Sequence, residues 1–219
     1  MELTDRIEDW RRRGETVTVR GHRLHAFSRE GEAPWLLLLH GVPSSSFDWR
    51  RLLEVEKRQA ALAFDFLGFG LSEKPPRHEY SLLEQADLAE ELIERFAGSE
   101  PVFIVAHDLG TSVATELMAR DIEGRLRANA SGALLLNGSI LLERARRRVG
   151  QKVLRGPLGR VAARAMSDRF FRNRFSALFS PEHPPEEGEA QDQWALMAHG
   201  GGRRIAHTFS YMDERQRYA

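Results

Sequence analysis

The stretch at residues 102–119 constrains this chain more than any other. Val102, Phe103, Ile104 and Val105 form a short apolar run, rich in β-branched side chains, that reads as a buried strand. It stops at Ala106-His107-Asp108-Leu109-Gly110, and a helical pattern starts at once and continues to about Arg120. Strand, one polar residue set between small ones, then helix is the layout of a nucleophile elbow. The turn is so tight that the residues two before and two after the central one must be small; here they are Ala106 and Gly110. The central residue is Asp108, and no Ser falls in that register. A carboxylate at that point can attack carbon and form an ester with the protein. It can equally cap the helix N-terminus, which Asp does well. The rest of the chain has to decide between the two.

The bulk properties mostly exclude. With 219 residues the chain suits one large domain, or a domain with an insertion. Apolar content of 42% and charged content of 29% are those of an ordinary globular protein. The formal net charge is zero, so nothing global points to nucleic acid or to an acidic partner. The absence of Cys rules out disulfides, thiolate catalysis and zinc–thiolate sites. Residues 1–13 are charged throughout and lack a signal-peptide core, and no apolar run is long enough to span a bilayer. The expectation is a cytoplasmic protein with no membrane span.

Taken in order, residues 4–13 read as a short amphipathic helix ended by Gly14. Residues 16–20 and 24–27 alternate apolar and polar around a Gly21-His22 turn, a hairpin with a solvated face. His22 and His25 lie in it, and neither is expected to take a chemical role. Residues 35–39 are a continuous apolar run, the mark of a strand covered on both faces. That run ends at His40-Gly41-Val42-Pro43, and a helix follows to about Val55. Residues 60–64 form the next buried strand, which stops at Asp65 and a loop carrying Gly68 and Gly70. Residues 81–96 form an amphipathic helix with Ser81 and Glu84 as a capping box and its many acids facing water. After the elbow, residues 132–136 make another strand ending at Asn137-Gly138.

Strands alternating with helices predict an α/β fold with a mostly parallel sheet. Ligands bind such sheets at the carboxyl ends of the strands, where His40-Gly41, Asp65, Asp108 and Asn137 all fall. Beyond Gly138 the pattern is helical, rich in Arg, and broken by Gly150, Gly156-Pro157 and Gly159. Residues 180–188 read as a polar linker; helices follow at 191–199 and 205–217 around a break at Gly200, Gly201 and Gly202. The division expected is a core at 1–138 and an all-helical cap at 139–219. The basic run at 144–174 suits the solvated outer faces of cap helices; a membrane surface or acidic partner is the other reading.

Three segments together resemble the α/β-hydrolase superfamily, in the branch that holds epoxide hydrolases and haloalkane dehalogenases. His40-Gly41-Val42-Pro43 is similar to that branch's HGxP oxyanion loop. Gly68-Phe69-Gly70-Leu71-Ser72 matches its G-x-small-x-Ser/Thr motif, and Ala106-His107-Asp108-Leu109-Gly110 its elbow with an Asp nucleophile. The resemblance implies a two-step reaction on a small organic molecule, without metal or other cofactor. Asp108 displaces an alkoxide or halide to leave an ester, and a His-activated water then cleaves that ester. Backbone N–H groups of Leu109 and Val42 would form the oxyanion hole. His40, Gly41, Pro43, His107 and Gly110 would support the motifs, His40 and His107 structurally.

Departures from the family narrow the substrate. Dehalogenases of the branch usually carry Trp after the nucleophile and often Asn after the His-Gly pair; here the residues are Leu109 and Val42. Epoxide hydrolases protonate the leaving oxygen with cap tyrosines, for which Tyr211 is the candidate, a half-buried packing role being its alternative. A small ester or lactone is a further substrate class. No position matches the family's post-cap acid or catalytic His, and Asn137 occupies an alternative acid position. The resemblance therefore implies a fold that stops before its last strands, as in a fragment of a longer hydrolase. Such a chain would stall after ester formation, and its last strand would need a partner or second copy over its edge. A binding protein that kept the scaffold and lost turnover is the competing reading, and a dehalogenase-like enzyme a third.

Overall fold

The computed structural model describes residues 2–138 and 159–205. The helical pattern expected over 141–158, and residues 206–217 of the last expected helix with Tyr211 among them, lie outside the described residues. Helix α1 (Asp5–Arg13) starts where the Thr4 hydroxyl accepts a hydrogen bond from the Ile7 N–H. Acids in its first turn and Arg11, Arg12 and Arg13 in its last suit the helix dipole, and it buries Ile7 and Trp10. Strands β1 (Glu15–Val19) and β2 (His22–Arg29) form a hairpin. Its two turn residues are Arg20 and Gly21, at φ 49° and 83°. Positive φ at both positions is what a tight two-residue hairpin turn demands, so the turn falls one residue earlier than the sequence suggests.

Strand β3 (Glu32–Leu39), a 3₁₀ turn (Ser46–Trp49), α2 (Arg50–Val55), β4 (Gln59–Phe64), α3 (Leu82–Phe96), β5 (Pro101–His107), α4 (Leu109–Ile122) and β6 (Asn129–Leu136) complete the sheet region. The six strands lie in the order β1-β2-β4-β3-β5-β6. The pairs β3–β4, β3–β5 and β5–β6 are parallel, while the hairpin and its junction with β4 are antiparallel. The mostly parallel α/β sheet read from the apolar runs is therefore present. Strand order reverses at β3: the chain leaves β3 for β4 on one side and later returns to β5 on the other. That reversal puts the carboxyl ends of β3 and β5 side by side at a topological switch point, where sheets of this kind open a crevice.

Alternation along β3 shows why it is apolar throughout. Trp35, Leu37 and Leu39 pack with Leu88, Leu92 and Ile93 of α3 and Val113 and Leu117 of α4. Leu36 and Leu38 face the other way, against Ile7, Trp10, Phe47 and Leu53. Burying both faces leaves no position for a polar side chain. At the far edge, β6 leaves Leu134 and Leu136 49% and 37% exposed.

The acids of α3 do not all face water, contrary to the expectation from its amphipathic pattern. Glu90 is buried, with Oε2 2.9 Å from Nη1 of buried Arg120 and Oε1 accepting from the Arg127 backbone N–H at 2.8 Å. Asp87 and Glu116 also meet Arg120, each at 2.8 Å. The pairing locks α3 to α4, and its cause is a cation on the neighbouring helix that no local pattern in α3 reveals.

After residue 158 the described elements are α5 (Gly159–Ala165), α6 (Asp168–Ser176), α7 (Glu189–Ala198), a 3₁₀ turn (His199–Gly201) and α8 (Gly202–Ile205), with no strand among them. Residues 180–188 carry neither helix nor strand, as expected of a linker. Gly200, at φ 58°, breaks the chain between α7 and α8. Helix α7 docks on the sheet region through ion pairs Arg6–Asp192 and Arg50–Glu189, a Thr4–Asp192 hydrogen bond, and Gln193 Nε2 donating to Asp48 Oδ1 at 2.7 Å. Among the described residues no helix is long and apolar enough to cross a membrane.

These buried charges can be tested by substitution. Arg120→Met leaves buried Glu90 with only the half-exposed Arg127 guanidinium, 3.2 Å away, as a cation. It should lower unfolding free energy by about 2–3 kcal/mol in urea titrations, short of the ~3–5 kcal/mol of a fully unpaired buried charge. Adding Glu90→Gln should recover a large part of that loss. Burial, reinforced by the Glu189 carboxylate, pushes the Asp48 carboxyl up to about 6 from 3.8, against the hydrogen bonds from Ser44 and Gln193. Between those values the folded chain holds a proton that the unfolded chain has released, so stability falls as pH rises from about 4 to 6. Asp48→Asn, which still accepts from Gln193, should match the parent at pH 4 and exceed it above pH 6. A gain on the order of 1 kcal/mol is expected from thermal unfolding across that pH range.

Candidate active site

The switch point brings together the loop after β3 and the turn after β5. Asp108 follows β5 with φ 48° and ψ −110°, outside the ordinary regions for a side-chain-bearing residue. Such a conformation costs on the order of 1–3 kcal/mol and persists only where its surroundings enforce it. Here they do. The Asp108 N–H donates to Leu136 O at 3.0 Å, and its carbonyl accepts from the Thr111 N–H at 3.1 Å and the Thr111 hydroxyl at 2.6 Å. The Gly110 N–H donates to His40 O at 3.0 Å, tying the first turn of α4 to the end of β3.

The small residues follow from that closeness. A Cβ on Gly110 would sit 2.5 Å from Leu39 O, and one on Gly41 would sit 2.9 Å from Asp108 Cβ and 3.1 Å from its Oδ2. Side chains at either place would push the loop and the elbow apart.

Asp108 holds the N-cap position of α4, yet its carboxylate makes no capping hydrogen bond. Instead Oδ2 accepts the Val42 N–H at 2.9 Å across the crevice. The simple capping role left open by the sequence is thus not what the side chain does. The N–H of Leu109 opens α4, among the helix-start donors that have no partner within the helix. Pro43 follows Val42 through a cis peptide bond.

The neighbouring polar residues sort into supports. His40 is fully buried; its Nε2 accepts the Phe66 N–H at 2.9 Å, so Nδ1 carries the proton and donates to Gly41 O at 2.8 Å. Burial lowers its pKa, which keeps the ring neutral. It ties the loop after β3 to the loop after β4. His107 is half-buried, with Nε2 3.5 Å from Asn137 Nδ2.

Asp65 does not join the reactive group, although it too ends a strand. Its Oδ1 accepts from the Ser46 N–H at 2.7 Å and the Ser46 hydroxyl at 2.6 Å, and its Oδ2 from the Leu71 N–H at 2.6 Å. The Gly68–Ser72 motif exists to wrap this carboxylate: a Cβ on Gly70 would stand 2.1 Å from Asp65 Oδ2, and the Ser72 hydroxyl donates to Asp65 O at 2.6 Å. Asp48, which no sequence motif singles out, is partly buried beneath α7 and bonded to Gln193. Its partner lies 145 positions away, so no local signal marks it. A cavity of about 590 Å³ lined by Thr16, Leu71, Ser72, Lys74 and His199 shares no residue with the elbow or the His40–Pro43 loop.

Asp108 is thus a carboxylate held by one backbone N–H donor on a strained turn at the switch point. The relatives agree with this architecture. LipZ of Mycobacterium tuberculosis, which is named as a hydrolase, is 49% identical over 214 residues, covering 97% of this chain and 74% of its own length. An epoxide hydrolase structure from Vigna radiata superposes with a TM-score of 0.69 at 20% identity, over 94% of this chain and 73% of that one. A haloalkane dehalogenase structure from Agrobacterium tumefaciens gives 0.66 at 19% identity, over 94% and 74%. At those identities the two structures establish the fold alone. A family model described as the alpha/beta hydrolase family matches residues 36–217. The chain belongs to the alpha/beta hydrolase family.

Proposed function

We propose that this chain is a hydrolase scaffold whose Asp108 attacks a small electrophilic molecule, an epoxide foremost, to form an aspartyl ester. The observation that carries the reading is the 2.9 Å hydrogen bond from the Val42 N–H to Asp108 Oδ2. A carboxylate that capped its helix would have its charge tied to α4; this one is turned into the crevice with one oxygen anchored. Oδ1 forms the new C–O bond while the epoxide C–O bond breaks and its electron pair leaves on the ring oxygen, which takes up a proton. Oδ2 becomes the ester carbonyl oxygen, already seated against Val42, with the Leu109 N–H as second donor. When water attacks the ester, the negative charge gathers on that oxygen, where fixed N–H dipoles stabilise it most. Tyr211 is the candidate for the acid that protonates the ring oxygen, on the family resemblance alone.

Halide displacement is less favoured. Leu109 and Val42 supply no side-chain N–H where a departing halide would need one, and both positions carry apolar side chains. The hydrolytic step needs a base, commonly worth ~10²–10⁴ in rate. Among the described residues no histidine hydrogen-bonds Asp108, and both ring nitrogens of His40 are engaged. Ester formation on this chain is therefore expected to outrun ester cleavage.

Intact-mass spectrometry after incubation with a reactive terminal epoxide checks this, with Asp108→Ala in parallel and circular dichroism to confirm that both are folded. A persistent gain of one substrate mass in the parent and none in the variant is the expected result. An unmodified, folded parent would favour the alternative, a binding protein on a hydrolase scaffold.

A further inference from the structure

Away from the elbow, His22, His78 and Glu84 converge from three separate elements. His22 opens β2 directly after the hairpin turn, His78 lies in the loop between β4 and α3, and Glu84 stands in the first turn of α3. One ligand atom from each lies within 4.8 Å of the others. His78 Nε2 is 2.7 Å from Glu84 Oε2, and His22 Nε2 is 3.7 Å from Glu84 Oε1. Ligands of a tetrahedral zinc ion, at about 2.0–2.2 Å from the metal, stand roughly 3.3–3.5 Å apart. Two imidazoles on such an ion place their ring centres about 5 Å apart; those of His22 and His78 are 5.1 Å apart, with planes at 73°.

The surroundings match a ligand set better than a surface ion pair. Glu73 Oε1 is 2.8 Å from His22 Nδ1. That bond holds the proton on Nδ1 and turns the lone pair of Nε2 towards Glu84, the carboxylate–histidine relay that orients most metal-bound imidazoles. The Arg23 guanidinium meets the other oxygen of Glu73 at 3.3 Å, which fixes the relay from outside. Glu84 occupies the capping-box position of α3, yet its two oxygens turn to the histidines while Ser81 caps the helix. The side chains of His22, His78 and Glu84 are 21%, 22% and 25% exposed, open enough for an ion to enter from solvent.

We propose that His22, His78 and Glu84 bind a zinc-class divalent ion, with Glu73 orienting His22 and water completing the coordination. Mixed N/O donors of this kind suit zinc or cobalt over calcium or magnesium, which take all-oxygen shells. The ion would pin the Pro-rich loop to the hairpin and to α3, linking segments far apart along the chain. Its place is structural, on the flank of the sheet and outside the elbow.

The test uses the full chain without an affinity tag. Titration with zinc chloride should show one site per chain by calorimetry and raise Tm by on the order of 5 °C at saturating metal. Cobalt chloride should give the visible absorption of a low-coordinate cobalt site, displaced by zinc. His78→Ala and His22→Ala should each abolish the cobalt spectrum. Glu73→Gln keeps every ligand and should weaken affinity by about 10–100-fold, which protects the test against a variant that simply unfolds. Absence of one-to-one binding by the parent chain, or a cobalt spectrum that survives both histidine substitutions, would overturn the proposal and leave a hydrogen-bonded clasp.

Discussion

The hydrogen bond between the Val42 N–H and Asp108 Oδ2 organises the site. It exists only because three conditions hold together. Asp108 must sit at positive φ, so that its side chain leaves the axis of α4 and turns to the crevice. Gly41 must lack a side chain, because a Cβ there would collide with the Asp108 side chain. Gly110 must lack one as well, because α4 starts within van der Waals contact of Leu39 and His40. Each condition costs conformational freedom or strain, and the parallel packing of β3 against β5 supplies the enforcement. The sheet thus acts as the clamp that keeps an unfavourable backbone in place, with the carboxylate as the group it presents.

Around that contact lies a layer of buried polar groups that keep the loops still. His40 ties the loop after β3 to Phe66, and Asp65 ties the 3₁₀ turn to Leu71. Both are buried, and both have their charge or lone pairs answered by backbone N–H groups. Unanswered, either would be costly in an apolar surround. Under the role proposed for Asp108, such rigidity would matter, because a nucleophile displaced by ~1 Å can lose about two orders of magnitude in rate.

Much of this architecture is legible in the sequence, and the reason is local. A strand buried on both faces must be continuously apolar, so β3, β4 and β5 announce themselves. A turn that approaches another backbone must carry small residues, so the spacing of Ala106 and Gly110 around Asp108 is enough to mark the elbow. The fates of the carboxylates are not legible. Asp65 and Asp108 end neighbouring apolar runs in the same way, yet one is enclosed by Ser46 and Leu71 and the other faces the crevice. Glu90 reads as a solvated helix acid but finds Arg120 thirty positions on, Asp48 meets Gln193 at 145 positions, and Glu84 leaves its capping role for two histidines. Charge pattern tells which side chains are acidic; only the tertiary arrangement tells which of them are enclosed and which one turns to the crevice.

Locating the modification shows directly which carboxylate reacts. The chain should be treated with a terminal epoxide, digested under mildly acidic conditions that preserve esters, and sequenced by tandem mass spectrometry. An ester on the side chain of Asp108, with Asp65 and Asp48 unmodified, is the expected result. An adduct carried by Asp48, by a histidine or by another surface carboxylate, with Asp108 left bare, would contradict it.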